Sequence, residues 1–197
     1  MNKHIEELKR YAASLELDVF KLANEILDDP RFELWPASID KHHMESGGLA
    51  RHTYEVFDIA WNAATTTGHH KDIEVAVLYL AALFHDVGKF HDYIPTYPDK
   101  PHIKEWKKSD HCRLIHHISR SALVWSSMVC KYPKLYDRYH DKVLHCILAH
   151  HGCRAWGSPV APSTREAWLV HLADAISARA DDCDRVDMLK VDQEKKG

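Results

Sequence analysis

Residues 75–89 read VAVLYLAALFHDVGK. Ten uninterrupted apolar residues, Val75 to Phe84, run directly into His85-Asp86 and then Val87, Gly88 and Lys89. A run of that length is well short of the ~20 residues that cross a bilayer, and a helix apolar on all sides has to be buried among other elements. The stretch therefore predicts a central helix, beginning near Asp72, whose end delivers a histidine and a carboxylate to the interior. A buried carboxylate is costly unless it is paired or faces a cation, so Asp86 asks for a positive partner.

On both sides of this stretch the apolar periodicity is helical, with no sustained alternation of strand length, and an all-α fold is expected. Residues 3–28 are amphipathic through Ile5, Leu8, Leu15, Val19, Leu22 and Ile26, and form two helices or one bent helix ending near Asp29-Pro30. Residues 1–34 are thus a leading helical element of the same domain. Pro30, Pro36, Gly47 and Gly48 mark a structured loop, after which a helix from Leu49 to about Thr66 carries His52 on its inward face with Val56 and Ala63. Beyond the central helix, residues 91–109 are a loop rich in proline and lysine, of lid-like length. Further helices are expected over 110–131, 135–151 and 163–182, the last two separated by Pro159 and Pro162. Residues 35–183 then make up one domain, followed by a frayed polar tail, 184–197.

Composition narrows the function classes. The chain has 197 residues, 45% hydrophobic and 28% charged, with net charge −3, which is a globular composition. A positive excess of the kind that grips long nucleic acid is missing. Trp106, Lys107, Lys108, Lys104, Arg113 and Arg154 offer at most a local basic rim, and solvated surface is the competing reading. No segment is apolar enough for a membrane span, and the opening MNKHIEELKR contains no signal-peptide core, so a cytoplasmic protein is expected. Five cysteines, an odd number without zinc-ribbon spacing, read as reduced thiols. The outlying count is histidine: 17, against 7 glycines.

Several of those histidines fall at inward positions or ends of successive helices: His52, His85 beside Asp86, His117, and His150-His151, with Asp174 on the last helix. His117 rather than His116 is the inward member of its pair, on a face with Leu114, Ser121 and Val124. Singly, each has a structural explanation: a hydrogen-bonded core histidine, a capping aspartate, a histidine favoured by a helix C-terminus. Together they converge on one interior, the way helical bundles build metal sites. Nitrogen and oxygen donors without thiolate suit manganese, iron, cobalt, nickel or magnesium better than a closed structural zinc.

The order His52, His85-Asp86, Asp174, with HDVGK at the doublet, resembles the HD superfamily of metal-dependent phosphohydrolases. The segments WPASIDKHHMESGGLARHT (35–53), LFHDVGK (83–89), LIHHIS (114–119) and ILAHHGCRAWGSPVAPSTREAWLVHLADAISA (147–178) resemble the HD domain of bacterial 3′-to-5′ exoribonucleases that join an OB-fold to an HD domain. The resemblance implies a bundle of about six to eight helices and a metal-dependent phosphoric ester hydrolase. By it, His52, His85, Asp86 and Asp174 hold a first divalent metal. His117, His150 and His151 hold a second, with Asp86 bridging and Lys89 neutralising a substrate phosphate. It implies a two-metal phosphodiesterase acting on nucleotides or short nucleic-acid 3′ ends. The alternatives are a mononuclear nucleotidase or deoxynucleoside triphosphate triphosphohydrolase, and a non-catalytic nucleotide- or metal-binding regulatory module.

About 35 residues precede the HD-like region and read as helix, so the OB-fold is expected to be absent and a partner protein to supply any grip on long nucleic acid. Oligomeric state is open. His43 and Arg154 are candidate substrate contacts, and His42 is structural or substrate-facing. The loop GSPVAP, 157–162, faces the site or merely connects two helices. His69, His70, His91, His102, His111, His140 and His145 are expected at the surface.

Overall fold

Every residue from Ala76 to Phe90 is buried, and the rest of the chain is arranged around that segment. A computed structural model describes residues 2–99 and 105–194, with side chains as far as Cys183. The central helix, α5 (Val75–Phe84), is apolar on all sides and packs against α2 (Leu17–Leu27), α4 (Gly48–Thr66), α8 (His117–Val129), α9 (Pro133–Ala149) and α10 (Arg165–Glu194). Ahead of it come α1 (Lys3–Ala13) and the single turn α3 (Arg31–Leu34); the turns α6 (Lys89–Asp92) and α7 (Asp110–Leu114) follow it. Counting helices of ten residues or more gives seven among the described residues, α1, α2, α4, α5, α8, α9 and α10. The amphipathic opening is two helices, because α1 closes at Ser14 and α2 restarts after Glu16. Its apolar face, with Ile5, Leu8, Val19 and Leu22, joins the same core as α5, and the Tyr79 hydroxyl donates to the Leu8 carbonyl at 2.8 Å.

The most extensive helix pairing is α4 with α10, which brings the start and the end of the bundle side by side. Among the described residues, no helix is long and apolar enough to cross a membrane, and all five cysteines are free thiols.

Four expectations need revision. The 91–109 loop contains a short antiparallel hairpin, β1 (Tyr93–Pro95) with β2 (Trp106–Lys108), Tyr93 opposite Lys108; Trp106 stacks near Trp35 at 4.4 Å between centroids. The expected helix over 110–131 is broken at Ile115-His116, where His116 takes φ 68°. Leu114 consequently sits on α7, 66% exposed, and shares no face with His117 and Ser121. Finally, α10 does not stop at Asp182 but continues to Glu194, because Arg165–Glu194 contains neither glycine nor proline to end it. Lys104 and His102 and the last residues, 195–197, lie outside the described residues.

Candidate metal centre

Five imidazoles from four elements point into one interior, and each is oriented by an acceptor at its Nδ1. His52 (α4) is 3.0 Å from Ser177 Oγ, which itself donates to Glu55 at 2.8 Å. His85 donates to the Ala82 carbonyl and His150 to the Ile147 carbonyl, both at 2.7 Å. His151 donates to the Trp156 carbonyl at 2.7 Å, and His117 lies 3.3 Å from Asp92 Oδ2. With the proton held on Nδ1, each ring presents its Nε2 lone pair to the interior, which is the arrangement metal-ligating histidines adopt.

The Nε2 atoms divide into two groups on either side of Asp86. Toward Oδ2 lie His52 Nε2 and His85 Nε2, each at 3.4 Å, with Asp174 Oδ1 3.1 Å from His52. Toward Oδ1 lie His117 Nε2 at 3.4 Å and His150 Nε2 at 3.8 Å. His52, His85 and Asp174 offer donor atoms within 4.8 Å of one another, and so do His117, His150 and His151. Asp86 Oδ1, His117 Nε2 and His150 Nε2 are buried and find no hydrogen-bond partner among the described residues. Three such atoms facing one another fit a cation, since leaving them unpaired is costly.

Electrostatics agree. Burial would raise the Asp86 carboxyl, but the Lys89 charge, the facing imidazoles of His85 and His117 and the His52 hydrogen bond hold it well below the usual carboxylate range. Burial pushes His117 down to about 4, against the pull of Asp86, and drives His150 well down. Both rings are therefore neutral at physiological pH, as ligation requires. Burial works against charging His52, yet Asp174 and Asp86 raise it, so this point between two carboxylates attracts positive charge.

The pentapeptide at the end of α5 gives each residue one task. His85 and Asp86 point inward, and Val87 is buried in the core. The Gly88 N–H donates to Ser121 Oγ at 2.9 Å, and a Cβ at Gly88 would come within 2.2 Å of the His117 carbonyl oxygen, so only glycine lets α8 approach. Lys89 Nζ lies 2.6 Å from Asp86 Oδ2 on the wall of a cleft of about 350 Å³.

The HD domain family model matches residues 49–179, which is most of the chain and spans all of these donors. The chain belongs to the HD domain family. It is also 28% identical over 187 residues to a 3′-5′ exoribonuclease YhaM of Shouchella clausii, covering 93% of this chain and 50% of that protein. A 3′-5′ exoribonuclease YhaM of Bacillus licheniformis is 26% identical over 187 residues, covering 93% of this chain and 51% of that protein. This HD domain chain thus spans about half the length of the curated relatives it matches. No solved structure matches it.

Within the HD domain, the seven expected metal donors, His52, His85, Asp86, His117, His150, His151 and Asp174, come together, with Lys89 beside them. Of the two candidate substrate contacts, one lies against these donors and the other does not: His43 offers a ring nitrogen within 4.8 Å of those of His42 and His52. His43 is fully buried, with Nδ1 3.0 Å from His42 and Nε2 2.9 Å from Glu55, leaving no ring nitrogen for a substrate. Arg154 is exposed on a 3-10 turn, Arg154–Trp156, and lines neither cleft beside the donors. The basic rim is dispersed: Lys108 pairs with Asp40 at 3.0 Å and Trp106 packs on Trp35. His111 is no free surface residue; its Nδ1 donates to Asp92 Oδ1 at 2.8 Å and its Nε2 accepts from Arg120.

Asp92 is the functional candidate that sequence reading missed. Its Oδ2 accepts the backbone N–H of His117 at 3.1 Å and faces His117 Nδ1, so one carboxylate caps α8 and aims its first side chain. His171 is a second omission, its Nδ1 donating to the His150 carbonyl at 2.8 Å from a place on the cleft wall. Both stand in stretches already singled out, yet neither has a spacing that marks it.

Proposed function

We propose that this HD domain is a two-metal phosphodiesterase acting on nucleotides or short nucleic-acid 3′ ends. The observation that carries the reading is the division of Asp86: one oxygen faces His52 and His85, the other faces His117 and His150, and all four rings are locked with Nε2 inward. His52, His85, Asp86 and Asp174 would hold one divalent ion, and Asp86, His117, His150 and His151 the other. Bound there, such ions supply Lewis acidity and a lowered pKa for water, the requirements of in-line attack on phosphorus.

The chain's own residues supply the rest. Lys89 is kept charged by Asp86 in spite of its burial, and places an ammonium at the cleft wall where a phosphate oxygen can be neutralised. Ser177, Asp92 and the carbonyls of Ala82, Ile147 and Trp156 hold the imidazoles in the orientation that keeps their protons off the reacting side. Relatives named as 3′-5′ exoribonucleases favour a nucleic-acid 3′ end as the substrate. A partner protein is the candidate for any grip on long strands.

Metal content per chain, measured on protein purified without chelator and on His117→Ala, tests the reading alongside turnover of a short oligonucleotide. Two ions falling to one, with loss of 3′-end hydrolysis, is the expected result. One ion in both proteins, with activity confined to nucleoside mono- or triphosphates, would replace it with the mononuclear nucleotidase. No turnover with any added metal would leave a regulatory binding module.

A further inference from the structure

The cleft of about 350 Å³ beside the donors has walls that the metal ligands do not account for. At its mouth stands Trp156, an indole left 65% exposed. The ring is not adrift. Its residue closes the 3-10 turn, and its own carbonyl is the acceptor that orients His151, so the backbone that carries the indole is tied to the donor set. The same cleft is lined by the small side chains of Ala175 and Ala178 on α10, with the carboxylates of Asp174 and Asp182 on the same helix. Lys41 and Arg179 stand at the rim, both exposed and in no ion pair among the described residues. The His171 ring backs the indole at 6.2 Å between centroids, and it packs so closely on Gly152 that a Cβ there would lie 2.4 Å from His171 Cε1.

A second cleft, of about 210 Å³, runs from the other side and shares Lys41, His42, Lys89 and His151 with the first. Lys89 and His151 therefore sit at the junction of two clefts, where a chain bridging both would place its phosphodiester. An exposed aromatic face, small side chains beside it and two uncommitted cations are the parts with which proteins hold a single-stranded nucleotide: the base stacks, and the phosphate is held by charge. A volume near the lower end for small-molecule sites fits one nucleotide and excludes a duplex.

We infer that the Trp156 cleft binds one nucleotide, its base stacked on the indole and its phosphate drawn by Lys41 and Arg179. This rests on the phosphodiesterase reading and specifies how that site takes its substrate, by an aromatic platform indifferent to base identity rather than by base-edge hydrogen bonds.

The test is equilibrium titration of the full chain with adenosine 5′-monophosphate and with ribose 5-phosphate, which lacks the base. Stacking of this kind predicts that the nucleotide binds at least about fivefold more tightly. Trp156→Ala abolishes that preference, and Trp156→Phe, which keeps an aromatic face, retains most of it. Arg179→Glu, on an exposed helical position where folding is not at stake, weakens both ligands. Equal affinity for the two ligands in the unaltered protein, or a preference that survives Trp156→Ala, overturns the inference. Turnover of bis(p-nitrophenyl) phosphate by the unaltered protein is scored separately. If it is absent while the nucleotide preference holds, the cleft stands and the phosphodiesterase reading falls.

Discussion

Asp92 shows how much a single carboxylate does here. It accepts from His111 on one oxygen and from the His117 backbone on the other, and sets the His117 ring so that Nε2 faces Asp86. Asp92→Asn keeps the cap's shape but weakens the hold on the imidazole, and outer-shell changes of this kind lower metal affinity by about 10–100-fold. On the two-metal reading, chelator competition is expected to show that loss for one ion, with the other unaffected; equal weakening of both would assign Asp92 a general structural role. Glu55 makes a different prediction. Burial would raise its carboxyl, but hydrogen bonds from His43 and Ser177 and the neighbouring charges bring it from 4.5 to about 2. A carboxyl depressed in the folded state stabilises above its unfolded value and loses that contribution as pH falls toward the folded one. Acid unfolding of Glu55→Gln should therefore lack the part of the transition between pH 4.5 and about 2 that Glu55 contributes. His52 was readable because helical periodicity places it on an apolar face, and His85-Asp86 because a motif ends a buried run. Asp92 carried no such mark, since its partners lie 19 and 25 residues further along the chain.

The helices themselves were legible to within a few residues wherever their signals are local: α4 from its apolar stripe, α9 from its helical periodicity, α5 from its unbroken apolar run. The junction between α7 and α8 was not, because the cap that starts α8 is contributed by Asp92 rather than by a neighbouring serine or aspartate. His116 accepts a left-handed φ of 68° at that corner, and strain of this kind persists only where the surroundings hold it. Gly88→Ala tests how rigidly the corner is held. Its Cβ would meet the His117 carbonyl at 2.2 Å and the His117 Cα at 2.8 Å, so α8 must retreat. Overpacking at such contacts costs about 1–3 kcal/mol. Urea denaturation should report that loss, and metal analysis a deficit at the His117 side; unchanged stability with full metal content would show the corner to be pliable.

The donor set ties α4, α5, α8, α9 and α10 to one point, so occupancy of that point should be felt by the fold as a single unit. A ligand that binds only the folded state at a hundred times its dissociation constant adds about 2.7 kcal/mol. For a domain of this size that corresponds to roughly 5–10 °C in melting temperature. Calorimetry before and after exhaustive chelation is expected to show a drop of that order, restored by adding metal, and no drop would separate the histidine cluster from the stability of the bundle. Convergence of this kind is also what composition could announce without locating: 17 histidines signalled a site, the ends and inward faces of successive helices singled out five of them, and the packing of the bundle brings those five beside Asp86 and Asp174. That packing has a bearing on timing. His52 and Asp174 meet at 3.1 Å, and His52 reaches Ser177 across 125 positions of sequence. During synthesis, then, the His52 side of the cluster stays incomplete until α10 has emerged, and a nascent chain truncated before Asp174 carries histidines without that carboxylate.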